Sequence, residues 1–379
     1  MRLPHLALLS SALLGMAAHA ELPADSGNGP RSATLAVPPS KHWVWVNDFV
    51  FPHMADGMAY LLDGDSGRYL GTLSTGYGFS RIVLPRDGRI IYSPETYFSR
   101  GTRGTRTDVV TLYDPATLKP VGEIPIPPKR ASNMPMMANA VLTDDERFLL
   151  IYNFNPAQSV TVVDTRTRKF VREVETPGCA LAFPTGARSF FSVCGDGSLL
   201  LVDLDEGGAA QQKRTDPVFD LAADPVTEKA VRSGDTWYFV SFAGRIYPLH
   251  AGAHGAKMGA SWWLTTDAER KAGWRSGGLQ QLAIDPAGSR LYAIMHRGGL
   301  ETHKDPGKDV WVYDAASGRR TQQFTLKSLA SSIQLSSDAA LMFSIFIEGG
   351  DLDVYAASSG KLLRTVDHVG TTPTIMVTP

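Results

Sequence analysis

The segment VVTLYDPATLKPVGEIPI, residues 109–126, decides the fold. An apolar, β-branched run reaches Tyr113. Asp114 to Thr117 then reads as a turn, and a second run closes a hairpin. The same arrangement returns in other letters. It appears as AYLLDGDSGRYLGTL (59–73), SVTVVDTRTRKFVREVET (159–176), SLLLVDLDEGGAAQQKR (198–214) and DVWVYDAASGRRTQQFTL (309–326). In DLDVYAASSGKLLRTVDH (351–368) Ala356 stands where the others carry Asp. A degenerate copy, GRIYPLHAGAHGAKMGA (244–260), brings the number to seven. Their spacing, about 40–60 residues, is that of a repeat architecture.

A second pattern lies between the copies. VLPRDGRIIYSP (83–94), LTDDERFLLIYN (142–153), FPTGARSFFSV (183–193), IDPAGSRLYAIM (284–295) and LSSDAALMFSIF (335–346) each read strand, polar turn, strand. Each unit therefore holds about four short strands. Four strands in each of seven units predict an all-β, seven-bladed β-propeller over residues 41–379. PTIMVTP (373–379) reads as a strand that completes the first blade. Stacked β-sandwiches are the competing architecture, which irregular strand counts would favour. Asp63, Asp114, Asp164, Asp203 and Asp314 are expected to accept backbone N–H groups in their turns. TDAERKAGW (266–274) predicts one or two helical turns within an insertion.

Cys179 and Cys194 are the only two cysteines in 379 residues. CALAFP and SFFSVC read as strands around a turn at Gly186-Ala187, so the hairpin sets the two cysteines opposite each other, as a disulfide requires. The N-terminus fits an oxidising destination. Arg2, the apolar run Leu6 to Ala18 and Ala18-His19-Ala20 predict a signal peptide, residues 1–20, cleaved after Ala20. That run is too short to span a bilayer. Residues 21–40 are polar and rich in Gly and Pro, and predict a flexible arm. The formal charge of −1 suggests neither nucleic acid nor an anionic membrane as partner.

No His-Glu-x-x-His, Gly-x-Ser-x-Gly, P-loop or Cys-x-x-Cys-His motif is present. His250 and His254 fall in a Gly-rich stretch, and His303 reads as a loop residue. No metal site and no catalytic residue are expected in this chain. Arg100, Arg103 and Arg106, with Arg81 upstream, crowd one region. Arginine suits pairing with carboxylates of a partner, so an interface is expected there.

Several long segments resemble the heavy subunit of the quinoprotein amine dehydrogenases, the methylamine and aromatic amine dehydrogenase family. They are YFSRGTRGTRTDVVTLYDPATLKPVGEI (97–124), GCALAFPTGARSFFSVCGDGSLL (178–200), LTTDAERKAGWRSGGLQQLAID (264–285) and THKDPGKDVWVYDAASGRR (302–320). The likeness runs from about Val44 to the C-terminus. It implies a seven-bladed propeller in a periplasmic assembly of two heavy and two light subunits. It implies that the cofactor, tryptophan tryptophylquinone, belongs to the light subunit and that this chain binds none. Trp262, Trp263 and Trp274 then read as core or interface residues. The implied reaction is oxidative deamination of a primary amine to aldehyde and ammonia. Electrons pass to a blue-copper protein, amicyanin- or azurin-like. The resemblance also implies a Phe narrowing the substrate channel. VNDFVFPHMADGMAYLLDGD (46–65) is one residue longer than the family pattern, so Phe51 is the match and Phe49 the other candidate. Competing functions are the propeller subunit of a quinohaemoprotein amine dehydrogenase, an independent metal-dependent propeller hydrolase, and a pure binding propeller.

Overall fold

Each of the seven sequence units folds into one antiparallel sheet in the computed structural model. The structure describes residues 33–379 except Ser80 and Asn133, so the expected signal peptide, 1–20, and most of the expected arm, 21–40, lie outside the described residues. Leu35–Pro379 form one compact unit.

Blade 1 consists of Pro373–Val377, Trp43–Asp48, Gly57–Asp63 and Tyr69–Gly76, counted from the axis outward. The C-terminal strand is thus its innermost member, paired as Trp45↔Val377 and Val46↔Met376, and it closes the ring. Blade 2 is Ile91–Phe98, Arg106–Tyr113 and Pro120–Ile126. Its inner position is reduced to a bridge between Val83 and Tyr92. Pro94 on the neighbouring strand has no N–H to continue that ladder. Blades 3 to 7 occupy 140–175, 179–214, 231–263, 274–330 and 332–366.

Strand periodicity explains the assembly. Successive side chains point to opposite faces of a sheet. Val44 and Val46 pack on blade 7, beside Phe343 and Val354. Trp45, between them, packs on blade 2, beside Ile91 and Tyr113. Blade 3 likewise presents Phe148 and Leu150 to Phe190 and Val202 of blade 4. Seven such clusters fill the seven gaps between neighbouring blades. Because both faces of every blade are covered, the strands read as nearly continuous apolar runs.

Turn chemistry sets how closely blades approach. In the turn between the third and outer strands of blade 6, Gly318 has φ +70°. A Cβ there would lie 2.6 Å from the ring of Trp262 in blade 5. Blade 2 solves the same problem in reverse. Leu118 takes the positive φ, 56°, and Gly71 of blade 1 leaves room for its side chain. Asp114 accepts from the N–H groups of Ala116 and Thr117 at 3.0 and 2.7 Å, and Asp164 and Asp314 act alike. Asp63 accepts from Asp65 N–H at 3.2 Å. Asp203 departs from the expectation. Its strand continues to Leu204, and its carboxylate accepts from the Ser189 hydroxyl at 2.6 Å. Asp205 takes over the turn, accepting from Gly207 and Ala209 N–H at 2.8 and 2.7 Å.

Cys179 and Cys194 pair across the first hairpin of blade 4 and form the disulfide. The bridge spans 15 residues of sequence. Replacing both cysteines with Ala should cost about 3 kcal/mol by the chain-entropy model. Chemical denaturation with and without reductant checks this, and reductant should leave the Ala variant unmoved.

The ring closure also carries a pH-sensitive contact. His42 bridges Asp65 of blade 1 at 2.8 Å and Asp338 of blade 7 at 3.1 Å. Burial lowers its pKa, but the hydrogen bonds and charges of Asp65 and Asp338 outweigh burial and raise it. Its contribution is therefore complete below about pH 6.5 and fades as pH rises through the raised value. His42→Gln should abolish that loss of stability on the alkaline side. A parent protein with a flat denaturation midpoint across neutral pH would contradict this account.

Candidate functional site on the upper face

Antiparallel strands send their connections alternately to two faces. The tight turns of the aspartates gather on one, here called lower. The loops joining second to third strands, and one blade to the next, gather on the other. The upper face carries both phenylalanines and the arginine loop.

Asp48 ends the second strand of blade 1 and is buried. Its carboxylate accepts from Val50 N–H at 2.7 Å and Thr371 N–H at 2.5 Å. It also accepts from the N–H and hydroxyl of Thr372, both at 3.1 Å. The Thr372 hydroxyl oxygen in turn accepts from Phe51 N–H at 2.7 Å. These bonds hold Val50 at φ 49° and start the single 3-10 turn Phe51–His53. Phe49 is buried and packs against Phe79, with ring centroids 4.8 Å apart. Phe51 stands on Phe49, edge to face at 5.7 Å, and is 62% exposed. Of the two, Phe51 presents its ring to anything that approaches this face, and Phe49 is its support.

Phe79 is held from behind by Arg130. The guanidinium donates to Tyr77 O, to Phe79 O at 3.3 Å and to the Thr96 hydroxyl at 2.9 Å. Burial pulls Arg130 down to about 10, against the pull of Asp108 the other way. The same Asp108 accepts from Arg130 N–H at 3.0 Å and forks with Arg106 at 2.8 and 2.6 Å.

The four arginines grouped by sequence therefore separate. Arg106 turns inward, with its charge matched by Asp108. Arg81 is buried and donates to Ala140 O at 2.9 and 2.7 Å. Arg100 and Arg103 remain exposed at a hairpin tip, where Arg100 N–H donates to Arg103 O at 2.9 Å. His250 lies on the strand Arg245–Gly252, not in a loop, and contacts the Thr236 hydroxyl at 3.0 Å. His254 lies in the adjoining turn, and its carbonyl accepts from Lys213 Nζ at 3.0 Å. The ring of His303 stacks on Phe242 at 3.7 Å, and burial with nearby lysines pushes its pKa down to about 4. Trp262 packs on Tyr313 and Trp274 on Trp311. Among the described residues no group of three or more His, Cys, Asp or Glu is placed to hold a metal.

Asp48, Phe79, Arg130 and Thr372 escaped the sequence reading. Asp48 left one trace, a charged residue that follows Asn47 at the end of a strand apolar from Trp43 to Val46. Its partners Thr371 and Thr372 lie more than 320 positions away, which no local pattern reports.

Fold and site define the class: a seven-bladed β-propeller closed by its C-terminal strand, with an anchored aromatic loop on one face. The chain belongs to the methylamine dehydrogenase heavy chain family, whose model matches residues 40–379. A methylamine dehydrogenase heavy chain of Methylorubrum extorquens is 32% identical over 325 residues, covering 84% of this chain and 78% of that one. Its counterpart in Paracoccus versutus is 33% identical over 326 residues, covering 84% and 75%. The fold is shared more widely. A periplasmic gluconolactonase of Pseudomonas aeruginosa superposes with a TM-score of 0.62 at 15% identity, covering 88% of this chain and 98% of that one.

Proposed function

We propose that this chain is the heavy subunit of a periplasmic amine dehydrogenase that converts primary amines to aldehyde and ammonia. The light subunit would carry tryptophan tryptophylquinone, which supplies the two-electron oxidation of the amine. A blue-copper protein would take the electrons, and two heavy subunits would join two light ones. Family membership along nearly the whole propeller carries this reading.

The upper face supports a role for each element of the chain. Phe51 would narrow the path to the light subunit, because it is exposed yet fixed through Asp48 and Phe49. Arg100 and Arg103 would meet carboxylates of the partner. Phe51, Phe154 and Leu300 are large apolar side chains exposed on three loops of this face.

Co-purification from the native cells tests the assembly. The expected partner is a small, disulfide-rich chain with a quinone absorption that added amine bleaches. Methylamine, for which the relatives are named, is the first substrate to try, and phenylethylamine the second. A colourless chain, alone and inert to both, would overturn the proposal. Phe51→Ala in the assembled enzyme should leave stability nearly unchanged. It should change the ratio of kcat/KM between these amines by about tenfold or more, the scale of altered pocket contacts. An unchanged ratio would remove Phe51 from the channel.

A further inference from the structure

The inner strands of all seven blades enclose a cavity of about 440 Å3 on the propeller axis. That volume lies within the usual range of small-molecule pockets, about 300–1,000 Å3. Charge is distributed unevenly along it. At the lower mouth the charges are matched. Arg232 pairs with both oxygens of Asp144 at 2.6 and 2.7 Å, and Arg86 faces Glu146 at 3.9 Å.

The upper end differs. Arg81, at the entry to blade 2, and Lys229, at the entry to blade 5, line walls three blades apart. Both are more than nine-tenths buried. Neither has a carboxylate within ion-pair distance among the described residues. Arg81 donates to Ala140 O and to Met137 Sδ. Lys229 Nζ donates only to the carbonyls of Gly278 and His303. Burial pulls the ammonium down to about 7; Lys304 adds to that and Glu228 opposes it. Burial alone pulls Arg81 to about 10. Between the two cations and the lower mouth the lining includes Met137, Phe183, Trp237 and Leu282.

A buried cation without a counter-ion is costly, because backbone dipoles replace hydration only in part. Two of them at one end of the cavity, where the lining carboxylate of Glu228 stands outside ion-pair distance of both, leave a place for a negative charge. We propose that the axial cavity is a binding site for a small organic carboxylate, with its charge at the Arg81–Lys229 end and its hydrocarbon part directed down the axis. The site is separate from the Phe51 loop, and stands whether or not the chain joins an amine dehydrogenase.

Benzoate is a suitable probe, with benzyl alcohol as its neutral match. Titration calorimetry on the full-length chain, in the assembly in which it is isolated, should give a benzoate Kd at or below about 1 mM. The alcohol should bind at least about tenfold more weakly, the fold-change of a single lost charge contact. Lys229→Met and Arg81→Met should each weaken benzoate by about tenfold or more. Equal affinity for the alcohol, or no heat with benzoate, would overturn the proposal without recourse to any variant. Unchanged benzoate affinity in both variants would do the same, leaving Lys229 as a clamp on the carbonyls of Gly278 and His303.

Discussion

Replacing Asp48 with Ala is expected to destabilise the chain by about 3–5 kcal/mol and to release the Phe51 loop. The carboxylate receives four hydrogen bonds, from Val50 N–H, Thr371 N–H, and the N–H and hydroxyl of Thr372. An Ala leaves all four donors without their acceptor. Each buried donor so stranded costs about 1–3 kcal/mol, and water can recover only the more exposed ones, such as Thr371. The site also lies where the C-terminal strand meets the first, with Asp48 opposite Pro373. Loss of the carboxylate therefore weakens ring closure as well as the loop. Asp48→Asn keeps the size and one acceptor oxygen, but turns an NH2 toward N–H groups. It should fall between Ala and the parent in denaturant midpoint. In the assembled enzyme the Ala variant should also reproduce the amine preference of Phe51→Ala, since both remove a fixed ring from the upper face. An Ala variant as stable as its parent would mean that solvent already satisfies these donors.

The contrast between the fold and the site shows what a single sequence can disclose. The propeller was legible because its cause is local and repeated. Five of the seven turns carry their own Asp, as at Asp114, and each strand alternates between two neighbours, as Val44, Trp45 and Val46 do. The disulfide was legible for the same reason, since one short hairpin sets its register. The displaced role of Asp203 shows the limit of that logic. A strand that runs on to Leu204 hands the turn to Asp205, and the spacing of letters does not report strand length. The site depends on non-local bonds. Asp48 reaches Thr372, and Arg130 reaches Tyr77 and Phe79, across separate blades or loops. The arginines illustrate the same point. Arg81, Arg100, Arg103 and Arg106 look alike as a group, yet two are exposed and two spend their charge inside the molecule.

Arg130→Met should produce the second large effect, about 2–4 kcal/mol of destabilisation. The guanidinium is the donor to Tyr77 O, Phe79 O and the Thr96 hydroxyl. Met fills the space but leaves those acceptors unpaired. Part of the cost is offset, because the variant no longer buries a cation whose pKa burial has pulled to about 10. Arg130→Lys keeps the charge but cannot reproduce the fork, so it should recover only part of the stability. The functional consequence follows the rings. Arg130 fixes the segment bearing Phe79, Phe79 packs on Phe49, and Phe49 supports Phe51. In the assembled enzyme Arg130→Met should therefore shift amine preference in the same direction as Phe51→Ala, by a smaller factor. Combining the two separates structure from selectivity. Stability losses should add, since Phe51 contributes little, while the preference of the double variant should match that of Phe51→Ala alone. A double variant whose preference changes beyond the single one would show that Arg130 acts on amine selection by a route other than these stacked rings.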